Sequence, residues 1–131
     1  MSLESTLAPA PIGEHATRVL DADALARLRE LDPGGKAGLL ARVLNTYRQS
    51  LERFLGQLQT ARSQGDLHVQ RHVAHTLKSS SASVGALALA ALCAETERHL
   101  RDGPAEGLDP QLDALIKEGQ RVLAGLTPPA A

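Results

Sequence analysis

The sequence predicts an all-α fold, an antiparallel four-helix bundle (up-down-up-down) with an additional short N-terminal helix. Apolar residues recur at steps of three and four along the segments between residues 19 and 126, and no run alternates with period two. Glycine, aspartate and proline punctuate these segments where helices are expected to start and stop. Because the connections between the four longer segments are short, we expect neighbouring helices to be antiparallel.

The first two predicted helices differ in length. The first begins after Asp21, a candidate N-cap, and ends at the Asp-Pro-Gly-Gly sequence of residues 32–35. The second runs from about Lys36 to Arg62 and carries one continuous apolar stripe. We expect this stripe to face the core, and it consists of Leu39, Leu40, Val43, Leu44, Tyr47, Leu51, Phe54, Leu55 and Leu58.

The other three helices are delimited by short polar sequences. Gly65 is expected to end the second helix and Asp66 to cap the third, which runs to about Val84 and ends at Gly85. The fourth helix ends at the Asp-Gly-Pro-Ala-Glu-Gly sequence of residues 102–107. The fifth opens at the Asp-Pro pair at 109–110, because aspartate is a favoured cap and proline a favoured first helical residue.

A chain of 131 residues is long enough to form one domain with its own hydrophobic core. Residues 1–18 combine Pro9, Pro11 and Gly13 with small side chains, which predicts a flexible N-terminal leader. Residues 127–131 are predicted to be a short tail. The helical bundle domain is therefore expected to span residues 19–126.

Composition disfavours several classes of function. The balance of 14 basic against 15 acidic residues, a net charge of -1, gives no electrostatic footprint for nucleic acid or an anionic membrane. One Phe, one Tyr and no Trp leave few platforms on which bases could stack. A single cysteine, Cys93, excludes an internal disulfide and favours a reducing compartment. We expect a cytoplasmic, monomeric protein that contacts neither nucleic acid nor membrane.

The segment at 72–86, His-Val-Ala-His-Thr-Leu-Lys-Ser-Ser-Ser-Ala-Ser-Val-Gly-Ala, contains many serines for a helix. A helical projection places His75 opposite the core face formed by Val69, Val73, Leu77, Ser80 and Val84. His72 and Lys78 lie about 60° to either side of His75, and four residues lie within roughly 40° of it: His68, Arg71, Ser79 and Ala82. The projection predicts that Ser80 faces the bundle and that Ser81 flanks it.

An exposed imidazole one turn from an ammonium group suits phosphoryl transfer. Histidine is an established nucleophile in covalent catalysis, and a phosphorus–nitrogen bond is labile enough to be passed onward. Lys78 can pair with an anion carried by the ring of His75. The spacing therefore predicts a nucleophile and a phosphoryl-stabilising group.

Two sequence motifs match a family. Ala-His-Thr-Leu-Lys-Ser-Ser-Ser-Ala-Ser-Val-Gly-Ala at 74–86, followed by Leu-Cys-Ala-Glu-Thr-Glu at 92–97, resembles the histidine phosphotransfer (HPt) domain of two-component phosphorelays. The usual family pattern is Ala-His-Thr-Leu-Lys-Gly-Ser-Ser-Ala-Asn-Leu-Gly-Ala and then Leu-Cys-x-x-Leu-Glu. This chain departs from it at Ser79 in place of Gly, at Ser83 and Val84, and at Thr96 in place of Leu, where we expect a mild loss of packing.

The resemblance implies a phosphorelay intermediate. His75 would accept a phosphoryl group from the aspartate of a receiver domain and pass it to another receiver, with Lys78 stabilising the group. The implied partners are the receiver domain of a hybrid sensor histidine kinase and a downstream response regulator. Mg²⁺ would be held by the receiver, and this chain would carry no cofactor and no metal. Five residues would flank the site: Ser79, Arg71, His72, His68 and Ala82.

Two alternative interpretations remain open at the level of sequence. His68, His72 and His75 have spacings that could place them on one zinc ion, although they point outward. The chain could also be an adaptor that docks receiver or other signalling domains without relaying phosphate. Cys93 is expected to be a small buried hydrophobic residue rather than a reactive thiol. No Gly-rich nucleotide loop is present, so the chain is predicted to be a phosphohistidine carrier and not an enzyme.

Overall fold

The computed structural model describes residues 16, 18–35 and 37–127, and these residues form helices and turns without strands. The all-α prediction is confirmed over this part of the chain. The predicted leader up to residue 15 and the tail from residue 128 lie outside the described residues. In the described part of the chain from residue 18 onward, five α-helices follow one another, and a 3-10 turn, Pro33–Gly35, separates the first from the second. The helices are α1 (Ala22–Glu30), α2 (Leu39–Gln64), α3 (Leu67–Val84), α4 (Leu87–Asp102) and α5 (Leu108–Leu126).

Local signals set most of the helix ends. The carboxylate of Asp21 accepts a hydrogen bond from the backbone N–H of Ala24 at 3.0 Å, and Asp66 caps α3 in the same way through Val69. Gly85 ends α3 with a φ of 87°, a left-handed conformation that glycine adopts without steric cost. The predicted caps of α1 and α3 and the predicted end of α3 are therefore confirmed.

Two predicted helix starts were wrong. The second helix begins at Leu39 and not near residue 36, because the carboxylate of Asp32 accepts hydrogen bonds from the N–H groups of Ala37 and Leu39 and holds the preceding loop. The fifth helix begins at Leu108 after Gly107, whose φ is 83°. The side chain at 109 makes no cap there, since its carboxylate accepts a hydrogen bond from α2.

The four long helices contact one another in a closed ring. Each packs against the next along the chain, and α2 also packs against α5, while α1 contacts α2 and α3. Leu44, Leu51, Leu58, Leu77 and Leu115 are fully buried in the core. The predicted apolar stripe of α2 supplies much of this core, so its assignment to the interior is confirmed.

The burial of the serines on α3 differs from the burial that the helical projection predicts. Ser81 is fully buried, and its hydroxyl lies 2.6 Å from the hydroxyl of Tyr47 on α2. Ser80 is only half-buried and donates to the carbonyl oxygen of Thr76. The predicted order was wrong because α3 packs against both α2 and α4, which widens its buried arc to include Ala74 and Ser81.

The end of α3 holds α1 in place. The backbone N–H of Asp21 donates to the carbonyl oxygen of Gly85 at 2.8 Å. A Cβ atom added at Gly85 would lie 2.8 Å from the Cβ of Ala24 and 2.9 Å from the backbone nitrogen of Asp21. Glycine is thus required by both its backbone conformation and the close approach of α1. The chain already packs before residue 19, since Ala16 is fully buried.

Candidate functional site

The imidazole of His75 is held by a residue of the neighbouring helix. Its Nδ1 lies 2.6 Å from Oε2 of Glu97 on α4. The other carboxylate oxygen of Glu97 accepts a hydrogen bond from Nζ of Lys78 at 2.7 Å. Glu97 therefore joins, through one carboxylate, the two residues that the sequence singled out as nucleophile and phosphoryl-stabilising group.

The packing of α3 against α4 explains this geometry. His75 and Lys78 are one turn apart on α3, so their side chains leave the helix close together. Glu97 follows the fully buried Cys93 by one turn on α4, which places it at the edge of the contact between the two helices. Its side chain is 12% exposed, whereas that of His75 is 63% exposed. The histidine thus reaches solvent while its anchor remains largely covered.

The electrostatics of the site keep Glu97 ionised. The hydrogen bond from Lys78 is the largest influence and lowers the pKa of the Glu97 carboxyl, and the hydrogen bond with His75 lowers it further, while burial opposes both. An ionised carboxylate accepts hydrogen bonds and cannot donate one, so the proton between the two residues lies on Nδ1 of His75. In the neutral ring the lone pair is then on Nε2. The arrangement therefore orients one tautomer and leaves Nε2 exposed to an electrophile.

The predicted flanking residues fall into two groups. His68, Arg71 and His72 line one cleft together with His75 and Glu97, and this cleft has a volume of about 410 Å³. Glu97 contributes to this cleft from α4, and two of the three flanking residues that line it are histidines.

Ser79 and Ala82 lie on the exposed surface of α3 and do not line the cleft. Lys78 is 37% exposed and is held at the base of the site by Glu97. The structure thus brings all the predicted residues to one surface of α3 but only three of the flanking ones to the cleft.

The metal interpretation receives no support from the described part of the chain. There, no group of three or more His, Cys, Asp or Glu residues is placed to hold a metal ion. His68, His72 and His75 share a cleft and do not converge on a common point.

Two residues of α4 occupy the interior near the site. Cys93 is fully buried, and burial raises the pKa of its thiol to about 12, so the prediction of an unreactive buried residue is confirmed. Thr96 is also fully buried, where its hydroxyl donates to the carbonyl oxygen of Leu92 at 2.7 Å and accepts from the amide of Gln111 on α5. Threonine in place of leucine therefore adds a polar contact between α4 and α5.

Glu97 is the residue of the candidate site whose contacts the sequence did not predict. It was noted only as a match to the family pattern, and no role was given to it. Its position one turn after Cys93, at the border of the apolar stripe of α4, was the available signal. Which residue of α3 it would meet depends on how α3 and α4 are rotated against each other, and helical periodicity does not contain that information.

Within the described residues, no helix combines the length and the apolar character that a membrane crossing requires. This finding agrees with the absence of a long apolar run in the sequence.

Comparison with known proteins identifies the family. The family model described as "Hpt domain" matches residues 42–125. Histidine-containing phosphotransfer protein B (HptB) from Pseudomonas aeruginosa is 29% identical, with a TM-score of 0.71 over 82% of this chain and 90% of that one. The HPT domain of a sensor hybrid histidine kinase from Shewanella is 26% identical, with a TM-score of 0.68 over 86% and 91% of the two chains.

A third solved structure supports the fold alone. It is a histidine-containing phosphotransfer protein from rice, 19% identical, with a TM-score of 0.69 over 89% of this chain and 91% of that one. The search of curated protein sequences gives no match. The family model covers more than half of the 131 residues. The chain therefore belongs to the Hpt domain family of histidine phosphotransfer domains.

Proposed function

We propose that this chain is a phosphorelay intermediate in two-component signal transduction and that His75 is its phosphoacceptor. Nε2 of His75 attacks the phosphorus of a receiver's aspartyl phosphate, the phosphorus–oxygen bond breaks, and the aspartate leaves as a carboxylate. Attack by the aspartate of a second receiver on the phosphohistidine reverses these events. The observation that carries the proposal is the hydrogen bond between Nδ1 of His75 and Glu97, which in the neutral ring places the lone pair on Nε2 of a side chain that is 63% exposed.

Glu97 supplies the electrostatic support for this step. When Nε2 gains a phosphoryl group while Nδ1 keeps its proton, the imidazole ring becomes positively charged. The ionised carboxylate 2.6 Å away stabilises that charge as it develops, and it is already in place before the reaction. Lys78 lies within one turn of the phosphoryl group and neutralises part of its negative charge. The contribution of this chain is thus mainly positioning and electrostatics.

The proposed partners are two receiver domains. The phosphoryl donor is the receiver domain of a hybrid sensor histidine kinase, and the acceptor is a downstream response regulator. One of the similar structures is itself a domain of a sensor hybrid histidine kinase, which supports this pairing. Arg71 and two histidines on the rim of the cleft suit an acidic surface on the partner. Arg48 and Arg53 on α2 remain further candidates for docking contacts.

The remaining parts of the proposal follow from the carrier role. Hpt domains are phosphocarriers and not kinases, so we assign this chain no ATP-dependent activity of its own. The Mg²⁺ needed for each transfer belongs to the receiver, and this chain contributes no cofactor. We propose a cytoplasmic monomer whose domain spans residues 19–126, with the buried Ala16 packed against its core. Its four long helices form an antiparallel up-down-up-down bundle, an arrangement supported by the closed ring of contacts and the short connections.

The direct test is phosphoryl transfer from a labelled receiver. A receiver domain phosphorylated by its cognate kinase is mixed with the wild type, with His75→Gln and with the matched controls His72→Gln and His68→Gln. We expect acid-labile, base-stable label on the wild type and on both controls, and background label on His75→Gln. Equal label on His75→Gln and the wild type would exclude His75 as the acceptor. Stable receiver binding without any label would favour the adaptor function instead.

A further inference from the structure

The hydroxyl of Ser79 differs from those of the other serines on α3. Ser80 and Ser83 donate to carbonyl oxygens one turn back in the helix, and Ser81 pairs with Tyr47 in the core. Ser79 is exposed, and among the described residues its Oγ has no hydrogen-bond partner. This hydroxyl is therefore free to bind a group that arrives from solvent.

The position of Ser79 directs its side chain toward the proposed phosphoacceptor. Ser79 follows His75 by one turn, and side chains of an α-helix lean toward its N-terminus, so the hydroxyl leans over the imidazole. On the helical projection Ser79 lies roughly 40° to one side of His75 and Lys78 about 60° to the other. Lys78 is on the side of α4, because its Nζ reaches Glu97. Ser79 is consequently on the side of α2.

The tautomer of His75 determines which nitrogen Ser79 can serve. The two ring nitrogens are both bonded to Cε1 and point outward in widely divergent directions, and Nδ1 faces Glu97 on α4. Nε2 therefore points away from α4 and outward, on the side where Ser79 lies. A phosphoryl group bonded to Nε2 would lie nearer to the hydroxyl of Ser79, and Lys78 would reach it from the side of α4 by turning away from Glu97.

We infer that Ser79 is a positioning residue whose Oγ–H donates a hydrogen bond to a phosphoryl oxygen of phosphorylated His75. The inference rests on the proposed function of His75 and adds a residue to its site. No bond of Ser79 is made or broken, and its proton stays on Oγ throughout the transfer. Since the family pattern has glycine at this position, the hydroxyl is a donor that this chain adds to the site. It stabilises the phosphohistidine between the two transfers.

The test measures the lifetime of the phosphohistidine without a partner. Phosphoramidate phosphorylates the full chain when Nε2 attacks its phosphorus, the phosphorus–nitrogen bond of the reagent breaks, and ammonia leaves. The His75 signal is the ³¹P resonance that is absent from His75→Gln treated in the same way. After removal of the reagent, its decay is followed at constant pH in the wild type, Ser79→Ala, Ser79→Thr and Ser83→Ala.

We expect the phosphohistidine of Ser79→Ala to decay about two- to fivefold faster than that of the wild type, and its ³¹P shift to differ, because one donor to the phosphoryl group is lost. Ser79→Thr should restore both values, since threonine keeps the hydroxyl. Ser83→Ala, which removes a hydroxyl engaged with the backbone, should match the wild type.

The result separates this inference from the proposed function. Equal decay rates and equal ³¹P shifts in the wild type and Ser79→Ala would overturn the role of Ser79 and leave His75 as the acceptor. Faster decay in Ser79→Thr and Ser79→Ala alike would also overturn it, because the effect would then not depend on the hydroxyl. No signal specific to His75 in the wild type would overturn both proposals.

Discussion

Two charged clusters bridge neighbouring helices in the same way but differ in what they leave exposed. Glu97 on α4 binds a histidine and a lysine one turn apart on α3. Arg62 on α2 binds two aspartates one turn apart on α5, with Nη1 2.7 Å from Asp113 and Nη2 3.2 Å from Asp109. In each cluster the side chain of the central residue is less exposed to solvent than the side chains of both its partners.

The chemistry of the partners separates the two clusters. The exposed groups around Arg62 are carboxylates, which repel an approaching phosphoryl anion unless a metal ion intervenes. The exposed group at Glu97 is an imidazole with one nitrogen bound and the other free. The comparison teaches that a bridging ion-pair cluster does not by itself indicate function. What marks the functional cluster is an unoccupied, nucleophilic lone pair at its exposed end.

Removing the central residue of the functional cluster has the largest expected effect. In Glu97→Ala, His75 loses the acceptor that orients its ring and fixes its tautomer, so we expect transfer from a phosphorylated receiver to slow by about 10- to 100-fold. Rapid-quench time courses provide the measurement. The transfer rate of Glu97→Gln should lie between those of the wild type and Glu97→Ala, because its amide oxygen still accepts a hydrogen bond from Nδ1 but carries no negative charge. A rate for Glu97→Ala equal to that of the wild type would show that the bridge does not serve the reaction.

Removing the central residue of the other cluster should affect stability alone. Arg62→Ala breaks two ion pairs whose carboxylates are largely exposed, so we expect the free energy of unfolding to fall by about 0.5–1 kcal/mol. The rate of phosphoryl transfer should stay unchanged. Urea unfolding and the same rapid-quench assay test the two halves of the prediction. If Arg62→Ala lowers the rate of phosphoryl transfer as well as the free energy of unfolding, the two clusters are not separate in function.

The smallest expected effect is on the pH dependence of stability. The pKa of Glu97 is lowered in the folded chain below its ordinary value of 4.5, mainly by the hydrogen bond from Lys78. The stabilisation that results is present above the unfolded value and is lost as the pH falls through the lowered one. We therefore expect the difference in unfolding free energy between the wild type and Glu97→Gln to shrink between pH 6 and pH 3 (roughly the range that brackets a carboxyl titration). A difference that does not vary with pH would contradict this linkage.

Features that depend on a few neighbouring residues could be predicted from the sequence. The caps at Asp21 and Asp66 and the end of α3 at Gly85 are local signals, and each was predicted correctly. The start of α5 was wrong because Arg62, 47 residues away in the chain, binds the carboxylate of Asp109 that was expected to cap the helix. The carboxylate of Asp109 binds Arg62 on α2 and makes no capping hydrogen bond to its own helix.

In the candidate site, too, features set by one helix were predictable and contacts between helices were not. The exposure of His75 follows from helical period, which requires only the sequence of α3. The contact with Glu97 requires the relative rotation and axial position of α3 and α4, and the burial of Ser81 requires the position of Tyr47 on α2. Such relations between helices arise from core packing, which no single segment determines. For this reason the exposure of the candidate nucleophile was predictable, and its contact with the residue that orients its ring was not.

The position of Glu97 on α4 also limits what the motif around His75 can indicate in other chains. The tautomer of the imidazole is a property of the α3–α4 hairpin, because the histidine motif lies on α3 and Glu97 ends the second motif, on α4. A deletion of one residue in the turn at Gly85 and Ala86, or in the first turns of α4, would rotate the carboxylate by about 100° and leave residues 74–84 unaltered. We expect such a variant to keep an intact histidine motif and to transfer phosphoryl groups slowly, since the register of α4 sets the contact between His75 and Glu97.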